Sequence, residues 1–286
     1  MPPGTIAIVL VAAVAHAIWN TVSKTKRGDT VVFVWAYTCA GALLSAPFAA
    51  MPVWRGTQPL DEALLVGASV SAVLHVAYSL TLQTGYERFE LGVVYPVARG
   101  TGPVLTVLLA IVLLGERLAG VEILGAVVIV AGIVVVAGNP FHGGRYRPFG
   151  GVLWGGATGA TISMYTLWDS YSVTTLHLAP VTYFTGTFLI QSALLTPLAI
   201  HRRDRIRTTL HTDAVPILTI GVLSPLAYIL VLTAMRTAPV ALVAPLRESS
   251  IVIGSLLAWR LFHEGHLARR LIGTGIVLAG IAAISL

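Results

Sequence analysis

The sequence predicts an all-α integral membrane protein of ten transmembrane helices, arranged as two inverted five-helix repeats. Three observations predict it. Of 286 residues, 56% are hydrophobic and only 10% charged, with a mean hydropathy of +0.84. A soluble domain carries about 25% charged residues because its surface must face water. Apolar runs of about 20 residues, the length that crosses a bilayer core, recur along the whole chain. The second half also repeats the motif order of the first. No polar stretch is long enough to fold as a soluble domain, which excludes a soluble enzyme and a singly anchored soluble domain. Strands of a membrane barrel would alternate over ~10-residue segments, a pattern these runs do not follow.

The spans fall at 4–23, 31–52, 63–84, 91–114, 119–138, 150–169, 179–199, 214–236, 240–261 and 268–286. No basic residue precedes the first apolar run, so it reads as a spanning helix rather than a cleaved leader. The connections carry Pro, Gly or charge: KTKRGD at 24–29, YERFE at 86–90, GNPFHGGRYR at 138–147 and HRRDRIRTTLHTD at 201–213. Loops this short predict that sequential helices are antiparallel neighbours. The single cysteine, Cys39, lies in an apolar run and permits no intrachain disulfide.

Orientation follows from Lys and Arg in the loops. The connections after the odd-numbered spans hold 13: Lys24, Lys26, Arg27, Arg88, Arg145, Arg147, Arg202, Arg203, Arg205, Arg207, Arg260, Arg269 and Arg270. The opposite face holds three, Arg55, Arg117 and Arg236. The 13-charge face is therefore expected in the cytoplasm and both termini outside, in a plasma or inner membrane. The basic pI of about 9.8 does not indicate nucleic acid, because the charge is spread over loops flanking helices, with no aromatic-interleaved basic module. The 202–207 segment is expected near anionic lipid.

The repeat is explicit. AYSL (77–80), YPVARGTGP (95–103), LLGERL (113–118), Gly125 and Ala131-Gly132 recur as AYIL (227–230), APLRESS (244–250), LFHEGHL (261–267), Gly273 and Ala279-Gly280. The offset is 150 at the Ala-Tyr pairs, 149 at Pro96 and Pro245, and 148 from Glu116 and Glu264 onward. This divides the chain into a first unit, 1–143, and a second, 144–286. An odd number of spans per unit turns the second upside down. The result is a pseudo-two-fold axis in the membrane plane, with a site near the midplane between the repeats.

These motifs, with HAIWN (16–20), VVYPVARGTGP (93–103), YTLWD (165–169) and RTAPVALVAPLRESS (236–250), resemble the EamA-type members of the drug/metabolite transporter superfamily over essentially the whole chain. The resemblance implies a secondary transporter of small metabolites, amino acids or drugs, commonly outward and without ATP. Many members of that family have both termini cytoplasmic, so the orientation from charge is a departure.

Ionisable groups inside spans are the candidate site, because each costs at least ~2.5 kcal/mol to insert and so faces a partner or a cavity. Arg99 lies eight residues into the fourth span, roughly 12 Å deep. Arg247 and Glu248 lie at similar depth in the ninth, and the pseudo-two-fold brings the two segments face to face. Two arginines against one deep acid leave a surplus positive charge, which points to an anionic substrate group. Tyr95, Gly102 and Thr106 extend the Arg99 face as a polar stripe with room beside it. His16, Trp19 and Asn20 on the first span, His75 and Tyr78 on the third, Tyr165 on the sixth and Tyr228 on the eighth complete the expected substrate-binding set. Glu248 is the expected proton carrier. Asp169 is placed at a helix end, where solvation is easy. Glu116 and Glu264 are read as structural groups near the interface.

No catalytic residue, metal site or cofactor is expected. HEGH at 263–266 has the wrong spacing for a zinc-protease motif, and neither a GxSxG elbow nor a P-loop occurs. The expected partners are a small-molecule substrate, the lipid bilayer and a proton, with the chain acting as a monomer or homodimer. Two alternatives stand beside this reading. One is a polyspecific efflux transporter for cationic drugs, which requires an uncompensated carboxylate on the cavity wall. The other is an intramembrane enzyme built on His16 and His75.

Overall fold

A computed structural model describes residues 1–23, 25–89, 91–137, 148–253 and 267–285, and is entirely helical in its regular structure over them. The helices are α1 (Pro3–Ser23), α2 (Thr30–Trp54), α3 (Glu62–Arg88), α4 (Leu91–Leu113), α5 (Gly120–Ala137), α6 (Pro148–Thr174), α7 (Pro180–His201), α8 (Arg203–Thr212), α9 (Ala214–Met235), α10 (Val240–Arg247) and α11 (Leu267–Ser285). By length and composition, α1, α2, Glu62–Leu82 of α3, α7 and α9 can each cross a bilayer. Shorter apolar stretches lie at Val97–Leu113, Gly120–Gly132 and Leu271–Ala283. Large apolar side chains such as Leu43, Phe48, Val112, Leu218 and Leu278 point outward, as a lipid-facing surface requires.

Three expectations about the elements are corrected. Segment 201–213 is not an open loop: it contains α8, which lies against the 25–29 connection. There the Arg27 and Gly28 amides donate to the Asp213 carboxylate at 3.0 and 2.7 Å, and Arg202 and Arg205 pair with Asp29 at 2.9 Å. Burial pushes the Asp29 carboxyl up, but hydrogen bonds from the Val32 amide and the two arginines outweigh it and hold the group below its ordinary value. The ninth span is not continuous. α10 stops at Arg247, and Glu248 and Ser249 form a tight turn before helix resumes at 250–253; residues 254–266 lie outside the described set. The third correction concerns neighbours. The broad contacts do not join sequential helices; they join helices of different repeats. Short loops fix direction, whereas burial follows the complementary small-residue faces, and those lie across the repeats.

That packing has two-fold symmetry. α2 packs on α7, α4 on α10 and α5 on α11, each a helix against its own repeat mate. The contact of α1 with α9 is matched by that of α6 with α3, and α2 with α9 by α7 with α3. The mates run antiparallel. Along α2 and α7, Trp35 donates to Thr196 (3.0 Å), Ser45 meets Thr185 (2.9 Å) and Ala49 accepts from Thr182 (2.8 Å), so one number rises as the other falls.

The α5–α11 crossing shows the same symmetry atom by atom. A Cβ on Gly132 would stand 2.7 Å from Val277 and 2.9 Å from the Gly273 carbonyl. One on Gly280 would stand 2.7 Å from Ile129 and 2.8 Å from the Gly125 carbonyl. Each residue of the second set is 148 positions from its counterpart in the first. Only a missing side chain permits this approach. Gly132→Leu and Gly280→Leu should each lower stability by about 1–3 kcal/mol, the usual range for overpacking. Unfolding in detergent micelles measures it, and wild-type stability in Gly132→Leu would contradict the crossing.

Candidate functional site

Two buried charge clusters occupy the interior between the repeats. In the first, the Glu248 carboxylate is held from both sides. Arg99 of α4 donates through Nη1 to Oε2 at 3.0 Å, and Arg247 donates through Nε and Nη2 to Oε1 at 3.2 and 3.0 Å. All three side chains are buried. The local backbone makes this possible. Adjacent residues on a regular helix point about 100° apart, yet Arg247 and Glu248 share one carboxylate. The amides of Glu248, Ser249, Ile251 and Val252 bond three residues back, to Pro245, Leu246, Glu248 and Ser249, at 2.9–3.1 Å. Pro245 lacks the amide that would bond Ala241, so the helix tightens into this turn beside it.

The second cluster surrounds Asp169. Its carboxylate is 0% exposed and accepts three hydrogen bonds: Tyr183 Oη of α7 to Oδ1 (2.5 Å), and Tyr228 Oη of α9 and His75 Nε2 of α3 to Oδ2 (2.6 and 3.1 Å). Rings close around it. His75 stacks on Tyr165 with centroids 4.1 Å apart, and Tyr228, Phe184 and Tyr78 meet them edge-on or tilted. His75 retains 13% side-chain exposure and Asp169 none. Tyr165 and Tyr228 also lie within electrostatic reach of Arg247 on the neighbouring α10.

The expected residues distribute as follows. Arg99, Arg247 and Glu248 come together, and His75, Tyr78, Tyr165 and Tyr228 come together around an acid that was not in the expected set. His16 lies within reach of the charges on Arg99, Glu248 and Arg247; its Nε2 and Trp19 Nε1 are buried without a hydrogen-bond partner among the described residues. Asn20 uses its amide on its own helix, donating to the His16 carbonyl at 2.8 Å. Tyr95 lies in α4, and its side chain is outside the described set. The room expected beside Arg99 is filled: Gly102 faces Ile162 of α6, and Thr106 is buried with its hydroxyl on the Gly102 carbonyl at 2.9 Å.

Asp169 corrects the charge balance. It is not at a helix end, because α6 runs on to Thr174. Among the described residues the interior therefore holds two arginines and two acids. The signal was present in the sequence: Tyr165 and Asp169 are four apart, on one helix face, and no Pro or Gly follows Asp169 until Pro180.

Asp169→Ala should cost about 3–5 kcal/mol, the usual penalty for removing one partner of a buried charged network, while Asp169→Asn, which keeps an acceptor oxygen, should cost about 1–3 kcal/mol. Unfolding of the two variants in detergent ranks them; an Asp169→Ala protein as stable as wild type would remove the cluster's structural weight.

Comparison with known proteins completes the assignment. The sequence model of the EamA-like transporter family matches residues 4–138 and again 149–286. No curated protein matches the chain significantly. Among solved structures, one named only "Crystal structure of protein" aligns over 100% of this chain and 99% of its own, with a TM-score of 0.79 and 18% identity, a likeness of fold. With a helical membrane fold and two family matches that together span nearly its whole length, the chain belongs to the EamA-like transporter family and is a multi-pass membrane transporter.

Proposed function

We propose that this protein is a secondary transporter with ten transmembrane helices in two inverted repeats, 1–143 and 144–286. In this reading it moves a small metabolite bearing a carboxylate across the plasma or inner membrane by alternating access. One observation carries the reading: two buried guanidinium groups already grip a carboxylate, that of Glu248, at 3.0 Å from each side. Planar, permanently charged forks placed around one carboxylate suit a second of the same shape. A substrate carboxylate displaces Glu248 from both arginines. Glu248, left unpaired in an apolar interior, is neutralised by a proton, which ties substrate binding to proton uptake. His16, Trp19, His75, Tyr78, Tyr165 and Tyr228 line the remainder of the substrate path, and Tyr95 and Asn20 lie on its helices.

A second reading, efflux of hydrophobic cations, draws support from Asp169, a carboxylate ringed by aromatic faces that suit a cation. It ranks lower because three hydrogen-bond donors already satisfy that carboxylate.

Transport in proteoliposomes separates the readings. Arg99→Ala should lower transport of an anionic metabolite by about a hundredfold, the scale of removing one partner of a buried charged pair. Arg99→Lys, which keeps the charge but loses the fork, should bind more weakly with the fold retained. Glu248→Gln should lose dependence on a pH gradient. Normal transport by Arg99→Ala, or a hydrophobic cation as the substrate, would overturn the assignment.

For orientation, the asymmetry of 13 basic residues against three supports termini on the non-cytoplasmic face. A topology reporter fused after Leu286 should read as external; a cytoplasmic signal would reverse the orientation and leave the fold untouched.

A further inference from the structure

Glu116, in the connection between α4 and α5, was expected to be an interfacial group of structural use. Its carboxylate instead reaches into the other repeat. Oε1 accepts from the Val240 amide at 2.7 Å and Oε2 from the Ala241 amide at 3.0 Å, so both oxygens grip the first turn of α10. The residue ahead of that turn, Pro239, supplies no side-chain cap of its own. Nearby, the Thr5 and Thr237 hydroxyls meet at 2.9 Å, joining the start of α1 to the α9–α10 link. Leu118 packs against the apolar cluster formed by Ile129, Leu242, Ile251, Val252 and Val277.

α10 is thereby held to α4 at both ends. Arg99 of α4 grips Glu248 just past its C-terminus, and Glu116, just past the end of α4, grips its N-terminus. All eight residues between, Val240–Arg247, are buried. In the opposite half, a cleft between α2, α3 and α7 is lined by Thr30, Val34, Val76, Ser79, Gln191 and Leu198, in the halves of these helices nearest the 25–29 connection. Glu116 closes one face, and the cleft lies nearer the other.

We propose that Glu116 is a gate latch: its grip on α10 holds the 114–119 and 236–239 face closed, and exposure of the interior to that face requires its release. The inference rests on the alternating-access reading but on no particular substrate. The chemistry suits a reversible latch. Two charge-assisted hydrogen bonds are strong while the face is closed and shielded. Once the face hydrates, water satisfies both the helix amides and a carboxylate that is only half-buried. A plain helix cap would come from the helix's own flank; this one comes from 124 residues away, across the interface at which the repeats must part.

Cysteine accessibility tests the latch without substrate or knowledge of orientation. In a Cys39→Ala background in nanodiscs, where reagent reaches both faces, Ala241→Cys reports the latched face and Ser79→Cys the cleft. Adding Glu116→Ala should speed maleimide labelling of Ala241→Cys by about five- to thirty-fold, the population shift expected for losing one helix-cap interaction. It should slow labelling of Ser79→Cys, because opening one face of an alternating-access protein closes the other. Glu116→Gln, which keeps one acceptor oxygen, should move both rates the same way by less, and serves if the alanine variant fails to fold. Unchanged rates at both positions would overturn the latch. Faster labelling at both would overturn it as well, since that marks a loosened fold. A failed Arg99→Ala transport result would leave these rates untouched, so the two proposals fail separately.

Discussion

A guanidinium buried among apolar helices must find a carboxylate, and that constraint shapes the centre of this molecule. Arg99 and Arg247 both turn to Glu248. For one acid to serve both, the chain abandons regular helix at the residue that carries it, and Pro245 makes that departure easy. The tight turn places a sequence-adjacent Arg and Glu on a shared carboxylate and aims the other oxygen at α4. An unpaired charge here would be far more destabilising than the local departure from regular helix that pairs it.

The site's location follows from symmetry. Helices that pack on their own repeat mates must lie at the pseudo-two-fold axis, and α2–α7, α4–α10 and α5–α11 do. Glycine pairs hold α5 against α11 and hydroxyl bonds hold α2 against α7; α4 and α10 alone meet through buried charge. The repeat here is deliberately imperfect in its chemistry: where one copy offers Arg99, the other offers Arg247-Glu248. Identical residues at this place would set like charges against each other. Divergence between the copies is what lets an axial contact carry an ion pair.

Much of this was legible in the sequence because it is periodic. The repeat offsets located the mates, and the buried arginines stood out against 56% hydrophobic composition. The Gly125/Gly132 and Gly273/Gly280 pairs stood out as repeated motifs, and the α5–α11 crossing is built on them. What was hidden depended on partners. Asp169 read as a helix end because hydropathy falls at Ser170, Tyr171 and Ser172, yet a helix buried by neighbours needs no hydropathy to continue through them. α8 read as a loop because its charges answer to Asp29, and neighbours from distant sequence are invisible to a local window. Packing across the repeats escaped loop-length reasoning for the same reason.

The two buried acids differ in a way that divides their roles. Glu248 is bound by groups that are cationic under all conditions, so removing its charge strands two guanidinium ions; it gives up its place readily only to another anion. Asp169 is bound by two hydroxyls and an imidazole, all of which can reorient or exchange donor and acceptor roles. Asp169 is therefore held by neutral donors, whereas Glu248 is held by fixed charges. Because Glu248 sits at the end of α10 and Glu116 grips its beginning, the proposed anion exchange and the proposed latch would act on the same short helix. α10, eight residues and about 12 Å long, spans the whole distance between these two grips.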